Sequence, residues 1–270
     1  MPKCNVMLFA AGLGTRLRPY TNIHPKPTIP LMNIPLGYYL FPYLQKLSVD
    51  NFVVNTFYIP DKIHQLYKNK EASIQFSDEV QFIKGSGGGL KQAENLFGLH
   101  PKDILVCNSD EVLFTPEENF LQKAFNKHQA HRAFATLVVM KHPLAGTKFG
   151  AIWTNDQGRV IHIGKEAPTQ KAQPWHFVGL QFLSPKIFSL ITSGIESNIF
   201  YDVLIHHLKN EVVQIYPIEA DWYETGNIID YTEAKHDIIT KLKLEPHYQK
   251  HFEALNQLPK LPGHQIGDLA

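Results

Sequence analysis

Apolar runs alternate with stretches of helical periodicity along the first half of the chain. The apolar runs have the length and composition of buried strands and cover residues 5–9, 52–55, 73–76, 104–107 and 134–140. Between them, apolar positions at helical spacing predict helices at residues 36–47, 61–68, 90–97 and 117–129. Strands separated by helices predict an α/β fold, in which a mixed, mostly parallel sheet is covered by helices on both faces.

The pattern changes after residue 140. A turn-rich tetrapeptide, Asn155-Asp156-Gln157-Gly158, separates apolar segments at residues 151–153 and 159–163 and predicts a hairpin. Further strands are predicted at residues 177–182 and 212–216, and helices at residues 185–191, 201–209 and 228–242. We therefore expect one domain over residues 1–243, whose second half (141–243) adds a small β segment to the sheet of the first half (1–140). Residues 244–270 are expected to form a peripheral helix or tail.

The composition is that of a globular protein with no overall preference for polyanions. Of the 270 residues, 44% are hydrophobic, which is enough for a sizeable buried core. The formal net charge of +1 argues against nucleic acid or an anionic membrane as a partner, and no apolar stretch reaches the roughly 18 residues of a membrane span. The two cysteines, Cys4 and Cys107, lie far apart in apolar runs, which is typical of a reducing compartment. We expect a cytoplasmic protein, and a homo-oligomer is compatible with this composition.

Positive charge is concentrated near the N-terminus. The first 49 residues contain five basic side chains and no aspartate or glutamate, which favours a local anion site. Here the first strand runs into Ala10-Ala11-Gly12-Leu13-Gly14-Thr15-Arg16, where small residues let backbone amides approach a phosphate and Arg16 adds a charged donor. Prolines on both sides of Lys26 stiffen the chain around that lysine. The alternative is an ordinary tight turn in which Gly12 and Gly14 only supply positive φ, and the basic neighbours argue against it.

A carboxylate follows the predicted strand 104–107, in the sequence Asn108-Ser109-Asp110. Ligands of open α/β sheets bind at the carboxyl ends of the strands, so Asp110 is where a metal-holding carboxylate is expected. The alternative is an Asx turn or a cap for the next helix.

Together these motifs resemble those of the sugar-1-phosphate nucleotidylyltransferases. The stretch from Ala10 reads A-A-G-x-G-T-R-L-x-P-x-T and is followed by P-K-P around Lys26, and the resemblance covers residues 3 to 240. It implies a Rossmann-like fold of the nucleotide-diphospho-sugar transferase type, with a nucleotide half and a sugar half. It also implies transfer of a nucleoside monophosphate from an NTP to a sugar-1-phosphate. The implied catalytic residues are Arg16 and Lys26, and the implied nucleotide-binding residues are Ala10, Ala11, Gly12, Gly14, Thr15, Gly87, Gly88 and Gly89.

The resemblance further implies a Mg²⁺ site and a sugar-phosphate site. The implied magnesium ligands are Asp110, in a motif that reads N-S-D where the family has N-G-D, and Glu224, at the aspartate of the family motif W-x-D-V-G-T. Because glutamate is one methylene longer, Asp221 is an alternative second ligand. The alternative role of Glu224 is a charge near the N-terminus of the next helix. The implied sugar-phosphate residues are Gly150, Lys165, Glu166 and Gly179.

The second glycine cluster, Gly85-Ser86-Gly87-Gly88-Gly89-Leu90, is similar to the family loop G-T-A-G-G-L, whose backbone lies against the nucleotide base. This loop and the short chain favour uridylyl or guanylyl transfer. The alternative functions are nucleotidyl transfer to phosphocholine and nucleotide-sugar sensing without turnover. The 14 histidines include closely spaced pairs without a third ligand, so we expect solvated surface histidines rather than a zinc-type centre, and Mg²⁺ as the cofactor.

Overall fold

A computed structural model describes residues 2–68 and 74–258. The strands are β1 (Cys4–Phe9), β2 (Pro30–Leu31), β3 (Ile34–Pro35), β4 (Val49–Thr56), β5 (Ile74–Asp78), β6 (Ile104–Asn108), β7 (Val112–Phe114), β8 (Ala135–Met140), β9 (Ala151–Thr154), β10 (Val160–Gly164), β11 (Gln173–Leu183), β12 (Val213–Pro217) and β13 (Asp221–Tyr223). The α-helices are α1 (Phe41–Leu44), α2 (Pro60–Tyr67), α3 (Gly85–Gln92), α4 (Phe120–Ala130), α5 (Ile205–His207), α6 (Ile228–Leu244) and α7 (Pro246–Asn256). Short 3₁₀ segments lie at Thr15–Leu17, Tyr20–Asn22, Lys26–Thr28, Leu36–Tyr38, Glu94–Phe97 and Pro185–Leu190, and a π-helical segment lies at Ile199–Leu204.

The central sheet is mixed and has nine strands within the described residues. Its order is β10-β9-β11-β6-β1-β4-β5, and β8 pairs with β11 and β12. The pairs β1–β4, β1–β6, β4–β5 and β8–β12 are parallel, whereas β11 runs antiparallel to β6, β8 and β9. The predicted mixed α/β fold is confirmed, and the antiparallel hairpin β9–β10 forms the added β segment.

Both faces of the sheet are buried, and alternate residues of the central strands face opposite sides. On β1, Val6 and Leu8 join one cluster of buried side chains, while Met7 joins a second cluster. On β6, Leu105 belongs to the first cluster and Val106 to the second. Because both sets of side chains need apolar surroundings, these strands are continuously apolar instead of alternating with polar residues.

Four predicted helices differ in the structure. Residues 185–190 form a 3₁₀ segment, and residues 201–207 form part of a π-helical segment followed by the short α5. Residues 36–47 form a 3₁₀ turn and the short helix α1 instead of one long helix. Pro42 explains this interruption, because it lacks the N–H that a continuous helix would bond to the carbonyl of residue 38. Helix α3 begins at Gly85 instead of residue 90, so the glycine cluster itself is helical. In the predicted strand 73–76, residue 73 lies outside the described part of the chain.

Helix α7 packs onto the core instead of lying apart from it. Its buried side chains are Tyr248, His251, Phe252 and Leu255. The ring of Tyr248 stacks on Phe114 of β7 with centroids 4.0 Å apart. The segment after residue 244 therefore contributes a helix to the core, while residues 259–270 lie outside the described residues. Within residues 2–68 and 74–258, no helix has the length and apolarity that crossing a membrane requires.

The expectation of solvated histidines is wrong for His128 and His251. Nδ1 of His128 lies 2.9 Å from Oγ1 of Thr136, and the ring of His251 stacks on Tyr43 with centroids 4.8 Å apart. Both histidines lie on the buried faces of their helices, where position in the helix decides burial more than residue type.

Candidate active site

The glycine turn after β1 forms one side of a cleft of about 240 Å³. The cleft is lined by Phe9, Ala10, Gly12, Gly14, Thr15, Arg16, Lys26, Pro27, Ser109, Asp110 and Gly226. No atom lies within 4 Å of the position that a Cβ of Gly12 would take, so this glycine leaves room for a ligand. Gly14 has φ +60°, and the hydroxyl of Thr21 donates to its carbonyl at 2.8 Å, which fixes the turn. Ala11 is buried behind the turn.

Lys26 and Asp110 form an ion pair in this cleft. Nζ of Lys26 donates to Oδ2 of Asp110 at 2.5 Å, and the two side chains are 15% and 26% exposed. Burial alone would lower the pKa of Lys26, but Asp110, with Glu111 and Glu224 nearby, outweighs burial and raises that pKa. Lys26 is therefore a fixed cation next to several carboxylates.

Arg16 and Glu224 meet at the edge of the same cleft. Nη1 of Arg16 lies 3.7 Å from Oε2 of Glu224, and the backbone N–H of Gly226 donates to Oε1 of Glu224 at 2.6 Å. A Cβ at Gly226 would overlap both the guanidinium and the carboxylate, so any other residue there would displace these two side chains. The side chain of Arg16 is 65% exposed, which leaves its guanidinium accessible to a bound anion.

A two-stranded antiparallel ribbon brings Asp110 and Glu224 to the same region. Its register pairs Val112 of β7 with Tyr223 of β13. Asp110 lies two residues before this pair on one strand, and Glu224 lies one residue after it on the other. Two carboxylates that are more than 100 residues apart in sequence therefore converge through strand register, which sequence spacing alone does not show.

Two polar side chains tie the strand ends beneath the cleft together. Ser109, which stands where the family has glycine, bonds the carbonyl of Phe9 through its N–H at 3.1 Å and its hydroxyl at 2.8 Å. Oδ1 of Asn55 accepts from the N–H of Ala10 at 2.8 Å, and its Nδ2 donates to Oε1 of Glu79 at 2.7 Å. Asn55 thereby joins the glycine turn to the segment that leads into α3. Sequence reasoning missed Asn55, whose only signal is a polar residue at the end of an apolar strand.

The glycine cluster of α3 packs against another segment of the chain. A Cβ at Gly87 would lie 2.6 Å from Oγ of Ser197, and one at Gly88 would lie 2.5 Å from the carbonyl oxygen of Ile195. A Cβ at Gly89 would lie 2.8 Å from Nδ2 of Asn55 on β4. The contact with the backbone of Ile195 is therefore sufficient to require glycine at position 88, independently of any nucleotide. The contact between this cluster and a base stays a prediction.

A second cleft, also of about 240 Å³, is lined in part by Glu224. Its lining residues are His142, Leu144, Lys148, Phe149, Trp222, Tyr223, Glu224, Asp230, Glu233, Ala234 and Asp237. The ring centroid of Trp222 lies 5.6 Å from that of Phe149 and 4.3 Å from that of His176. Burial, assisted by the nearby His142, lowers the pKa of His176 to about 4, so this imidazole is neutral near pH 7.

Glu111 follows Asp110 of the first cleft and bonds Trp222 of the second, and it was not identified from the sequence. Its carboxylate accepts from Nδ2 of Asn108 at 2.7 Å and from Nε1 of Trp222 at 2.6 Å. Burial, and then the neighbouring Asp110 carboxylate, raise the pKa of Glu111 to about 7. Gly179 has φ +77°, and a Cβ there would overlap the Glu111 carboxylate. The glycine therefore makes room for this side chain.

The residues implied for a sugar phosphate are not all brought together. Gly150 follows Phe149 of the second cleft, and the position of its Cβ would be in open space. Lys165 and Glu166 are exposed just after β10 and line neither cleft. Gly179 lies against Glu111.

The sequence model of the nucleotidyl transferases matches residues 5–241. This chain belongs to the nucleotidyl transferase family. The resemblance to sugar-1-phosphate nucleotidylyltransferases is thereby confirmed. This chain is 25% identical over 250 residues to the UTP–glucose-1-phosphate uridylyltransferase of Synechocystis sp. The alignment covers 87% of this chain and 63% of the relative. It is 28% identical over 249 residues to the mannose-1-phosphate guanyltransferase of Debaryomyces hansenii, in an alignment that covers 89% of this chain and 66% of the relative.

Solved structures of the family share the fold of this nucleotidyl transferase. UDP-glucose pyrophosphorylase complexed with UDP-glucose superposes with a TM-score of 0.73 at 18% identity, over 89% of this chain and 100% of the other. HddC from Yersinia pseudotuberculosis, complexed with GMP-PN, superposes with a TM-score of 0.68 at 20% identity, over 87% and 99% of the two chains. Both superpositions confirm the predicted fold.

Proposed function

We propose that this protein transfers a nucleoside monophosphate from an NTP to a sugar-1-phosphate and releases pyrophosphate. The observation that carries the proposal is the convergence of the glycine turn, Arg16, Lys26 and Asp110 on one cleft. Backbone amides of a glycine turn and two cations are suited to a triphosphate. Relatives named for uridylyl and guanylyl transfer support this reaction and make UTP and GTP the first donors to test.

The second cleft is the proposed site of the sugar-1-phosphate. It includes Glu224, which contacts Arg16 of the first cleft, so an acceptor there would lie beside the triphosphate. Its aromatic wall and scattered polar groups are typical of a pocket for a small polar ligand. A phosphomonoester is a dianion near neutral pH, because its second pKa is roughly 6. Its oxygen can therefore attack the α-phosphorus of the NTP without a protein base.

Mg²⁺ is the proposed cofactor, with Asp110 and Glu224 as its ligands. Carboxylate oxygens are ligands that Mg²⁺ prefers, and each of these two already contacts a cationic side chain. The described residues contain no group of three or more His, Cys, Asp or Glu side chains able to hold a metal. This fits an ion that takes one or two carboxylates and completes its coordination with substrate phosphates and water. When bound, the ion would neutralise negative charge on the phosphates.

Two side chains would act on the charge of the reacting phosphates. Lys26, held beside Asp110, anchors the triphosphate in line with the acceptor. Arg16 is exposed and contacts Glu224, so its guanidinium can move onto the α-phosphate and the departing pyrophosphate. Catalysis then consists of alignment and charge stabilisation, which are the main contributions in phosphoryl-type transfers.

A screen of pyrophosphate release tests this function. Each NTP, beginning with UTP and GTP, is combined with a panel of sugar-1-phosphates and with phosphocholine in the presence of Mg²⁺. We expect release that requires both an NTP and a sugar-1-phosphate, and that Asp110→Asn strongly reduces. If phosphocholine were the only acceptor that supports pyrophosphate release, the assignment of a sugar-1-phosphate acceptor would be contradicted. Tight NTP binding without release for any pair would support the sensor instead.

A further inference from the structure

Trp222 forms part of the wall of the second cleft, and its indole is oriented by one hydrogen bond. Nε1 donates to Oε2 of Glu111 at 2.6 Å. The neighbouring rings of Phe149 and His176 contact the indole at 85° and 56° to its plane, without a hydrogen bond to Nε1. Ring contacts of this kind tolerate several orientations of an indole, whereas a short hydrogen bond to a carboxylate is directional.

Glu111 is itself fixed on its other sides. Its second carboxylate oxygen accepts from Nδ2 of Asn108 at the end of β6, 2.7 Å away. The same carboxylate packs directly against Gly179 of β11, where a Cβ would overlap it. Three separate elements, β6, β11 and β13, thus define where this side chain lies. An immobilised carboxylate is a suitable support for a neighbouring wall residue.

We propose that Glu111 is a positioning residue for the acceptor: its carboxylate, held by Asn108 and Gly179, orients the Trp222 indole against the acceptor in the second cleft. This inference rests on the proposed function, since it takes the second cleft as the acceptor site. Glu111 does not contact the reacting atoms, and it acts through Trp222.

The substitution Glu111→Leu removes this support at comparable size. Leucine has no acceptor, so neither Nε1 of Trp222 nor Nδ2 of Asn108 keeps its partner. Glutamine would not break the link, because its amide oxygen can accept from Trp222 while its NH₂ donates to Oδ1 of a turned Asn108 amide. Trp222→Phe breaks the same link from the other side, since phenylalanine keeps an aromatic ring without an N–H.

The test compares kcat and the two KM values of the wild type, Glu111→Leu, Trp222→Phe and the double variant. Loss of a hydrogen bond to a charged group typically corresponds to about 10-fold or more. We expect each single variant to raise the KM for the sugar-1-phosphate about 10-fold, with the KM for the NTP changed by less than about 2-fold. The acceptor KM of the double variant should be no higher than that of the more impaired single variant, because both changes break the same interaction. Glu211→Leu, which removes a carboxylate that pairs with Lys186, is the matched control and should resemble the wild type.

The outcomes separate this inference from the proposed function. No turnover by the wild type with any NTP and sugar-1-phosphate would refute the proposed function itself. With an active wild type, an unchanged acceptor KM in Glu111→Leu would overturn the positioning role. Equal increases in both KM values together with a lower unfolding temperature would also overturn it, because they indicate a structural role. Additive effects in the double variant would show that Glu111 does not act through Trp222.

Discussion

Removing the Arg16 side chain should lower kcat and leave the stability of the fold nearly unchanged. Arg16 is 65% exposed, and its contact with Glu224 spans 3.7 Å. Exposed ion pairs of this kind contribute less than about 1 kcal/mol, so Arg16→Ala should leave the unfolding temperature nearly unchanged. Loss of one preorganised charge stabiliser costs about 10²-fold in kcat, which corresponds to about 2.7 kcal/mol of the activation barrier. The NTP KM should change much less than kcat, because the interaction strengthens as pyrophosphate departs.

The chain provides a matched control two residues away. Arg18 is exposed, carries the same charge and does not line the cleft, so Arg18→Ala changes net charge equally. Steady-state kinetics of both variants, with thermal unfolding measured in parallel, isolate the role of the guanidinium. If Arg16→Ala retains a kcat within about threefold of the wild type, or matches Arg18→Ala, the assignment of Arg16 to transition-state stabilisation is refuted.

Three further predictions concern the metal, the fold and pH. Glu224→Gln, like Asp110→Asn, should raise the Mg²⁺ concentration needed for half-maximal activity, and an unchanged titration would place Glu224 outside the metal site. Gly179→Ala should destabilise the protein by about 1–3 kcal/mol in urea unfolding, because its Cβ would overlap the Glu111 carboxylate; wild-type stability would contradict that contact. Burial lowers the pKa of His251 from 6.5 to about 4, so the unfolded chain takes up a proton first as pH falls, and stability is lost below about pH 6.5. His251→Phe should lose less stability between about pH 7 and about pH 5 than the wild type, and an equal loss would exclude His251 as a cause.

The fold was largely predictable because its central strands carry a local signal. The strands around Met7 and Val106 are buried on both faces, which produces continuous apolar runs that stand out in any sequence. Residues 36–47 were predicted less well, because burial of all of residues 36–44 removes the amphipathic pattern there and Pro42 divides the segment. At the early start of α3, the N–H of Gly87 donates to the carbonyl of Ser197 at 2.8 Å, a distant partner that local sequence does not reveal.

The site was predictable where one short segment carries several chemical groups. The turn from Ala10 to Arg16 places glycines and a cation within seven residues, and the cleft is built around it. Glu111 and Asn55 escaped detection because each makes its contacts only after distant strands pair. A single carboxylate or amide has no pattern by which sequence alone could distinguish it from a surface residue.

Isotope labelling of the acceptor tests the central claim most directly. A sugar-1-phosphate carrying ¹⁸O in its phosphate oxygens is incubated with the NTP and Mg²⁺, and the products are analysed by mass spectrometry. If an acceptor oxygen attacks the α-phosphorus, all of the label stays in the NDP-sugar, including the bridging oxygen, and the pyrophosphate is unlabelled. Labelled pyrophosphate, or pyrophosphate formed without any acceptor, would contradict the account.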